Sequence, residues 1–234
     1  MFNYCLILAA GQGIRLMPLT ELVPKALIEV DEKPIIFHTI SQVRSIIENL
    51  IVTVGYFGHD IASYVLKEGA TMIIKTHMRG NAFWLFNSLL KDLNEPVLVL
   101  TCDNIVKLDF DWLKFEYSRL SKPACLIIPV DAVEGISGDY ITGKNHIVSD
   151  LSIEHFDNNE RNIYCSGIQI INPYIINKIC EPTEDFNEVW QNLIRQNNLY
   201  YSDIYPHPWF SINTPQQLNQ YHHQFKKATK IVQL

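Results

Sequence analysis

The chain has 234 residues, of which 47% are hydrophobic and 19% charged, with 10 Gly and 11 Pro; this balance excludes a disordered, collagen-like or low-complexity chain. Nineteen Lys+Arg against 25 Asp+Glu give a formal net charge of −6, with no basic block beyond Lys226–Lys227 and Lys230. No nucleic-acid partner is expected, because a polyanion needs a basic face, whereas a small phosphorylated ligand needs only a few local cations.

In chain order, Tyr4–Ala9 reads as a buried strand. It is too short, and too poor in preceding basic residues, for a signal peptide, and nothing approaches the ~20 apolar residues of a membrane span. A soluble, cytoplasmic chain is expected. Pro34–Ile47 has the apolar spacing of a helix, Leu50–Val54 is a strand closed by Gly55, His59–Lys67 a short helix and Thr71–Lys75 a strand. Asn81–Leu93 reads as a helix with Asn81 as its N-cap, Pro96–Thr101 as a buried strand, Asp111–Leu120 as a helix introduced by Asp109 and Asp111, and Ala124–Val130 as a strand. The alternation predicts an α/β fold: a Rossmann-like, mostly parallel sheet with helices on both faces, whose ligands lie at the carboxyl ends of the strands.

After residue 131 the rhythm changes. Tyr140–Thr142, His146–Ser152 and Tyr164–Ile171 read as meandering strands, followed by helices at Pro173–Cys180, Asp185–Gln196 and Pro215–Lys227, the last N-capped by Thr214. We read a single domain over 1–234, whose first half (1–130) forms the sheet and whose mixed β second half (131–234) covers the sheet's open end. The five cysteines are odd in number and form no CxxC, which suits buried free thiols better than disulfides or zinc.

The most informative stretch runs from Leu8 to Leu27, LAAGQGIRLMPLTELVPKAL. A buried strand passes directly into small residues, and Gly11 and Gly13 let successive N–H groups turn toward an anion. Arg15 adds a planar fork suited to phosphate oxygens, and Lys25 a second cation. Three readings compete: a dinucleotide fingerprint, a bland Gly-rich turn, and a nucleoside-triphosphate cradle. The fingerprint fails at Leu16, where its third small residue belongs, and at Pro18 and Pro24, which interrupt the helix it requires.

The length of this motif resembles the opening of the nucleoside-diphosphate-sugar pyrophosphorylases, sugar-1-phosphate nucleotidyltransferases of the short single-domain type. Agreement continues through Gly80-Asn81-Ala82, Asp103, Ser166-Gly167 and Trp209–Thr214. The resemblance implies an NTP and a small phosphorylated partner, a sugar 1-phosphate, with Mg²⁺ as cofactor. Arg15, Lys25 and Asp103 would be catalytic, with Asp103 also the metal ligand. Ala9, Ala10, Gly11, Gln12, Gly13, His77, Gly80 and Asn81 would contact the nucleotide along with Arg15 and Lys25, and Gly138, Glu154, Ser166 and Gly167 would line the acceptor side. An oligomer is compatible with the sequence. Read without the resemblance, Asp103 is equally an Asx turn leaving a strand, His77 an exposed loop residue and Gly138 a turn glycine.

Two departures from the family pattern stand out. Ser211 occupies the place of a second metal-binding Asp, so that either the metal is held by Asp103, waters and phosphates, or Asn213 or another acid compensates, or catalysis is weakened. Glu154-His155-Phe156 replaces Glu-Lys-Pro, which leaves room for a different acceptor. The alternatives are therefore a cytidylyltransferase for a non-sugar phosphate such as phosphocholine, or a regulatory nucleotide-binding relative. The near-P-loop Gly138–Asn145 lacks its final hydroxyl and sits between hairpin-like strands, and His222-His223 diverge around a helix; neither is expected to bind a ligand.

Overall fold

The structure is a computed structural model that describes residues 2–136, 138–153 and 162–231, with side chains to His223. Its elements in chain order are β1 (Tyr4–Leu8), the short hairpin β2 (Glu29–Val30) and β3 (Lys33–Pro34), α1 (Ile35–Val43), β4 (Asn49–Val54), α2 (Gly58–Lys67), β5 (Met72–Lys75), α3 (Phe83–Asn87), β6 (Val97–Thr101), β7 (Asn104–Val106), α4 (Phe110–Arg119) and β8 (Cys125–Asp131). There follow β9 (Tyr140–Lys144), β10 (Ile147–Ser152), β11 (Ile163–Ile171), α5 (Pro173–Ile179), α6 (Phe186–Arg195), β12 (Leu199–Tyr201), β13 (Trp209–Ser211) and α7 (Pro215–Ile231).

Nine strands form one sheet in the order β5-β4-β1-β6-β11-β8-β12-β10-β9. The β5, β4, β1 and β6 strands are mutually parallel, and only β11 and β10 run against the common direction. The sheet is therefore mostly parallel, as expected. The meander is corrected in part: β9 and β10 form a hairpin, but β11 crosses back to lie between β6 and β8. Its nearly continuous apolar run is buried on both faces, which suits a central strand and not a hairpin member.

Alternation along the strands divides the core in two. Cys5, Ile7, Leu98 and Leu100 face one cluster with Ile36, Ile40 and Val43 of α1, Ile61 and Val65 of α2, and Leu113 and Tyr117 of α4. Leu6, Val97 and Val99 face the other, with Leu85 and Phe86 of α3, Ile176 of α5, and Val189 and Leu193 of α6. Helices thus cover both faces. Each fully buried Ile or Val is worth roughly 1.5–3 kcal/mol, enough to hold a nine-residue helix such as α1 that would be marginal alone.

The predicted helix over 81–93 is broken at Ser88, whose backbone is extended (φ −118°, ψ 174°). Its hydroxyl donates to the Trp84 carbonyl at 2.6 Å and accepts from Leu90 N at 3.1 Å, ending α3 and starting a 3-10 turn. Asn81 does not cap α3; its Oδ1 accepts from Phe186 N at 2.9 Å, in the first turn of α6. Pro34 stands just before α1 and not within it. Asp109 caps α4 by accepting from Trp112 N. Thr214 caps α7 as expected, accepting from Gln217 N while Gln217 Oε1 accepts from Thr214 N. Near-P-loop residues 140–144 form β9 itself. The five cysteines are free, four of them buried. Among the described residues no helix is long and apolar enough to cross a membrane.

Candidate functional site

The chain visits β1, then β4 and β5 on one side, then β6 on the other. This reversal opens a crevice at the carboxyl ends of β1, β4 and β6, where α/β sheets place their ligands. A cavity of about 470 Å³ lies there.

The loop after β1 forms its floor. Gly13 holds a left-handed backbone (φ +67°), and a Cβ there would stand 2.9 Å from Lys25 Cβ and 3.0 Å from Thr20 Cγ2, so a side chain is excluded on both counts. The Gly13 carbonyl accepts from the buried Thr20 hydroxyl at 2.9 Å and from Leu16 N at 2.8 Å. Leu16 and Ala26 are buried. They anchor short 3-10 turns, one on each side of Pro18 and Pro24, and leave Arg15 and Lys25 on the cavity side.

Lys25 Nζ donates to Asp103 Oδ2 at 2.7 Å and to Asn213 Oδ1 at 2.7 Å. Arg15 Nη2 donates to the same Asn213 oxygen at 3.0 Å. The side chains of Lys25 and Asp103 are only 14% and 15% exposed, so their attraction is weakly screened. Burial pushes the Asp103 carboxyl upward, but the Lys25 charge outweighs it together with hydrogen bonds from Lys25, Thr101 and the backbone. The carboxyl is held below its ordinary range and is ionised at neutral pH. Its neighbour Cys102 is pushed up to about 12, chiefly by burial, so the thiol stays protonated and is no nucleophile.

Of the residues singled out in sequence, Ala9, Ala10, Gly11, Arg15, Lys25, Gly80, Asn81 and Asp103 line this one cavity. Gly80 lies against Glu184: a Cβ would meet the Glu184 carbonyl oxygen at 1.9 Å, and Gly80 N donates to Glu184 Oε2 at 3.2 Å. Gln12 and His77 are exposed and outside the lining, and Gly13 supports it from behind. Ser166 is buried, with its hydroxyl donating to the Ile128 carbonyl and accepting from Ile168 N. Its own carbonyl accepts from Asn104 and from Trp209 Nε1. Gly167 backs onto Thr101 and Asn104, and Gly138 onto the Tyr164 ring. None of these three lines the cavity; Gly167 backs directly onto the lining residue Thr101. Glu154 lies outside the described residues.

Three threonines escaped the sequence reading: Thr53, Thr76 and Thr101 line the cavity at or just beyond the ends of β4, β5 and β6. Thr53 Oγ1 accepts from Ala9 N at 3.2 Å, which pins the start of the loop. A threonine near the end of each of three apolar strands was the available signal. Arg79 also reaches the cavity, from an ion pair with Glu184 at 3.1 Å. Ser211 presents no oxygen to the cavity; its hydroxyl accepts from Asn213 Nδ2 at 2.7 Å, and Asn213 contributes the oxygen that faces the two cations.

The arrangement can neutralise a polyanion with two cations while keeping one ionised carboxylate beside them. Comparison with known proteins agrees. Residues 4–132 match the family model described as nucleotidyl transferase. The chain is 30% identical over 226 residues to a mannose-1-phosphate guanyltransferase of Kluyveromyces lactis, and 27% identical over 225 residues to a mannose-1-phosphate guanylyltransferase catalytic subunit beta of Drosophila melanogaster. Each match covers 90% of this chain, which spans 61% and 59% of those relatives. In fold it is similar to a CTP:phosphocholine cytidylyltransferase of Streptococcus pneumoniae (TM-score 0.72, 20% identity, 95% of this chain and 99% of that one). It is also similar to a UDP-glucose pyrophosphorylase (TM-score 0.73, 15% identity, 97% and 100%). The matched stretch carries the loop, both cations and Asp103, and covers more than half of the sequence: this chain belongs to the nucleotidyl transferase family.

Proposed function

We propose that this chain joins a nucleoside triphosphate to a sugar 1-phosphate, giving a nucleotide-activated sugar and pyrophosphate. The observation that carries the reading is the convergence of Arg15, Lys25 and an ionised Asp103 on one cavity at the carboxyl ends of β1 and β6. The names of the relatives at 27–30% identity support a sugar 1-phosphate as acceptor.

An oxygen of the acceptor phosphate attacks the α-phosphorus in line. The bond from that phosphorus to the oxygen bridging it to the β-phosphate breaks, and pyrophosphate leaves with the electron pair. No protein nucleophile is required. Loop amides of Ala10 and Gly11 and the Arg15 fork hold the triphosphate, and Lys25 neutralises charge where the α-phosphate meets the acceptor phosphate. Ala9, Gly80 and Asn81 flank the nucleoside end. In this reading residues 1–130 bind the nucleotide, and 131–234 shape the acceptor side and add Asn213.

The donor set suits a metal ion that arrives with the nucleotide. Magnesium takes one or two carboxylates, phosphate oxygens and waters, and Asp103 is the carboxylate. Among the described residues no group of three His, Cys, Asp or Glu could hold a resident ion. Bound there, Mg²⁺ would supply further neutralisation of the phosphates.

The test is a thermal-shift screen against CTP, UTP, GTP, ATP and dTTP with Mg²⁺, then pyrophosphate release with mannose 1-phosphate and, separately, phosphocholine. A nucleotide at ~100 times its Kd stabilises by about 2.7 kcal/mol. One nucleotide should stabilise the chain and support release with the sugar phosphate. No shift with any of the five would reject the proposal.

A further inference from the structure

Among the described residues, Asn213 is the one residue of the second half of the chain that lines the cavity, and its carboxamide oxygen receives both cations, Lys25 Nζ at 2.7 Å and Arg15 Nη2 at 3.0 Å. We propose that Asn213 is a positioning residue, a neutral clamp that sets the pose of Arg15 and Lys25 for the triphosphate, with Ser211 holding the far end of its amide. The inference rests on the nucleotidyltransferase reading.

Two like charges brought together repel, and a shared acceptor offsets this. A carbonyl oxygen has two lone pairs and can accept from both. The amide has a single workable orientation: turned over, its NH₂ would face two cations. In the observed orientation Nδ2 donates to the Ser211 hydroxyl at 2.7 Å, a group only 5% exposed, so no amide hydrogen-bonding end is wasted. The backbone is fixed as well. Asn213 N donates to Gln217 Oε1 at 2.7 Å, and Gln217 Nε2 ties onto the Gly135 carbonyl at 3.0 Å. Just before it, Ile212 N donates to the Asp103 carbonyl at 3.0 Å, and Ser211 lies opposite Asn104 in the β13–β7 pair. Asn213 and Asp103 are therefore held as one unit although 110 residues separate them.

Neutrality is the functional point. Arg15, Lys25 and Asp103 leave the cluster with one net positive charge. A carboxylate at 213 would make equally good or better hydrogen bonds to both cations, but would cancel that charge and repel the phosphates. The carboxamide orders the cations without neutralising them. Ser211, whose place in sequence suggested a metal ligand, acts through Asn213 instead.

The substitutions Asn213→Asp, Asn213→Ala and Ser211→Ala test this in the full chain. Steady-state pyrophosphate release should be measured with the nucleotide and acceptor varied in turn, together with the melting temperature of the unliganded protein. Asn213→Asp is expected to melt no lower than the wild type, yet to raise the KM for the nucleotide more than tenfold, with the acceptor KM little changed. Asn213→Ala should raise the nucleotide KM by about tenfold, and Ser211→Ala by a few-fold. A purely structural hydrogen bond would be served by aspartate, so an unchanged nucleotide KM in Asn213→Asp overturns the proposal. So does wild-type kinetics in Asn213→Ala. A wild-type chain that binds none of the five nucleotides overturns the functional reading itself, and this inference with it.

Discussion

Two acid–cation pairs in this molecule, Glu116–Arg119 and Asp103–Lys25, are built in opposite ways. Glu116 and Arg119 are one helical turn apart on α4, so the helix alone brings them together. Their contact is forked: Nε to Oε1 at 2.9 Å and Nη2 to Oε2 at 2.6 Å, while Oε2 also accepts from Asp203 N at 3.0 Å. Lys25 and Asp103 are 78 residues apart and meet only because β1 and β6 are neighbours in the sheet. The Glu116 pair is closed off by backbone and by Asp203, whereas the Lys25 pair lines a cavity. A pair that satisfies itself contributes to stability; a pair with hydrogen-bonding capacity turned toward a cavity is organised for a ligand.

That contrast breaks most visibly in activity. Lys25→Ala and Asp103→Asn should each lower kcat on the order of 10²–10³-fold, the cost of removing one preorganised charge-stabilising group, measured as pyrophosphate release from folded protein. Near-normal turnover in both would place the chemistry elsewhere. Arg119→Ala should do the reverse. It leaves the buried Glu116 carboxylate without its fork, costs roughly 1–3 kcal/mol, and lowers Tm by about 2–4 °C per kcal/mol, while the KM for the nucleotide stays put. A nucleotide KM that follows Arg119 would merge the two sites into one.

Smaller effects sharpen the edges. Gly80→Ala drives a methyl into the Glu184 carbonyl. The loop must retreat, at a cost on the order of 1–3 kcal/mol for an overpacked contact, and nucleotide binding by calorimetry should weaken more than the melting temperature falls. Ser88→Ala removes the cap that separates α3 from the following turn and should cost ~1 kcal/mol with turnover unchanged. The smallest effect concerns pH. The Asp103 carboxyl is held below its ordinary value of 3.8. Its contribution to stability is therefore fully present above about pH 4 and fades as the pH falls through the lowered folded value. A Tm series from pH 6 to pH 3 should be flatter in Asp103→Asn than in the wild type.

Much of the fold was legible in sequence because its signals are local. Apolar runs between turn residues gave β1, β4, β6 and β8, and the apolar spacing of Ile36, Ile40 and Val43 gave α1. The loop Gly11–Lys25 stood out through two glycines, an Arg and a Lys directly after a buried strand, residue types suited to an anion. What escaped was set by contacts distant in sequence. β11 reads as one more strand after a change of rhythm, and only sheet packing sends it between β6 and β8. Asn81 has the composition of a cap, yet the helix it serves is α6. Ser211 and Asn213 stand out in sequence as a departure from the family pattern, but only the fold brings the Asn213 oxygen onto Arg15 and Lys25.

The sequence by itself determined the fold class, the glycine loop after β1 and the identity of the two cations near it, because short-range hydrophobic pattern and backbone chemistry reside in neighbouring residues. Only the tertiary structure decided that Arg15, Lys25, Asp103 and Asn213 form one cluster, and which oxygen faces which charge. Those distances follow from strand order and register, and strand order comes from burying both faces of a sheet whose strands lie far apart along the chain.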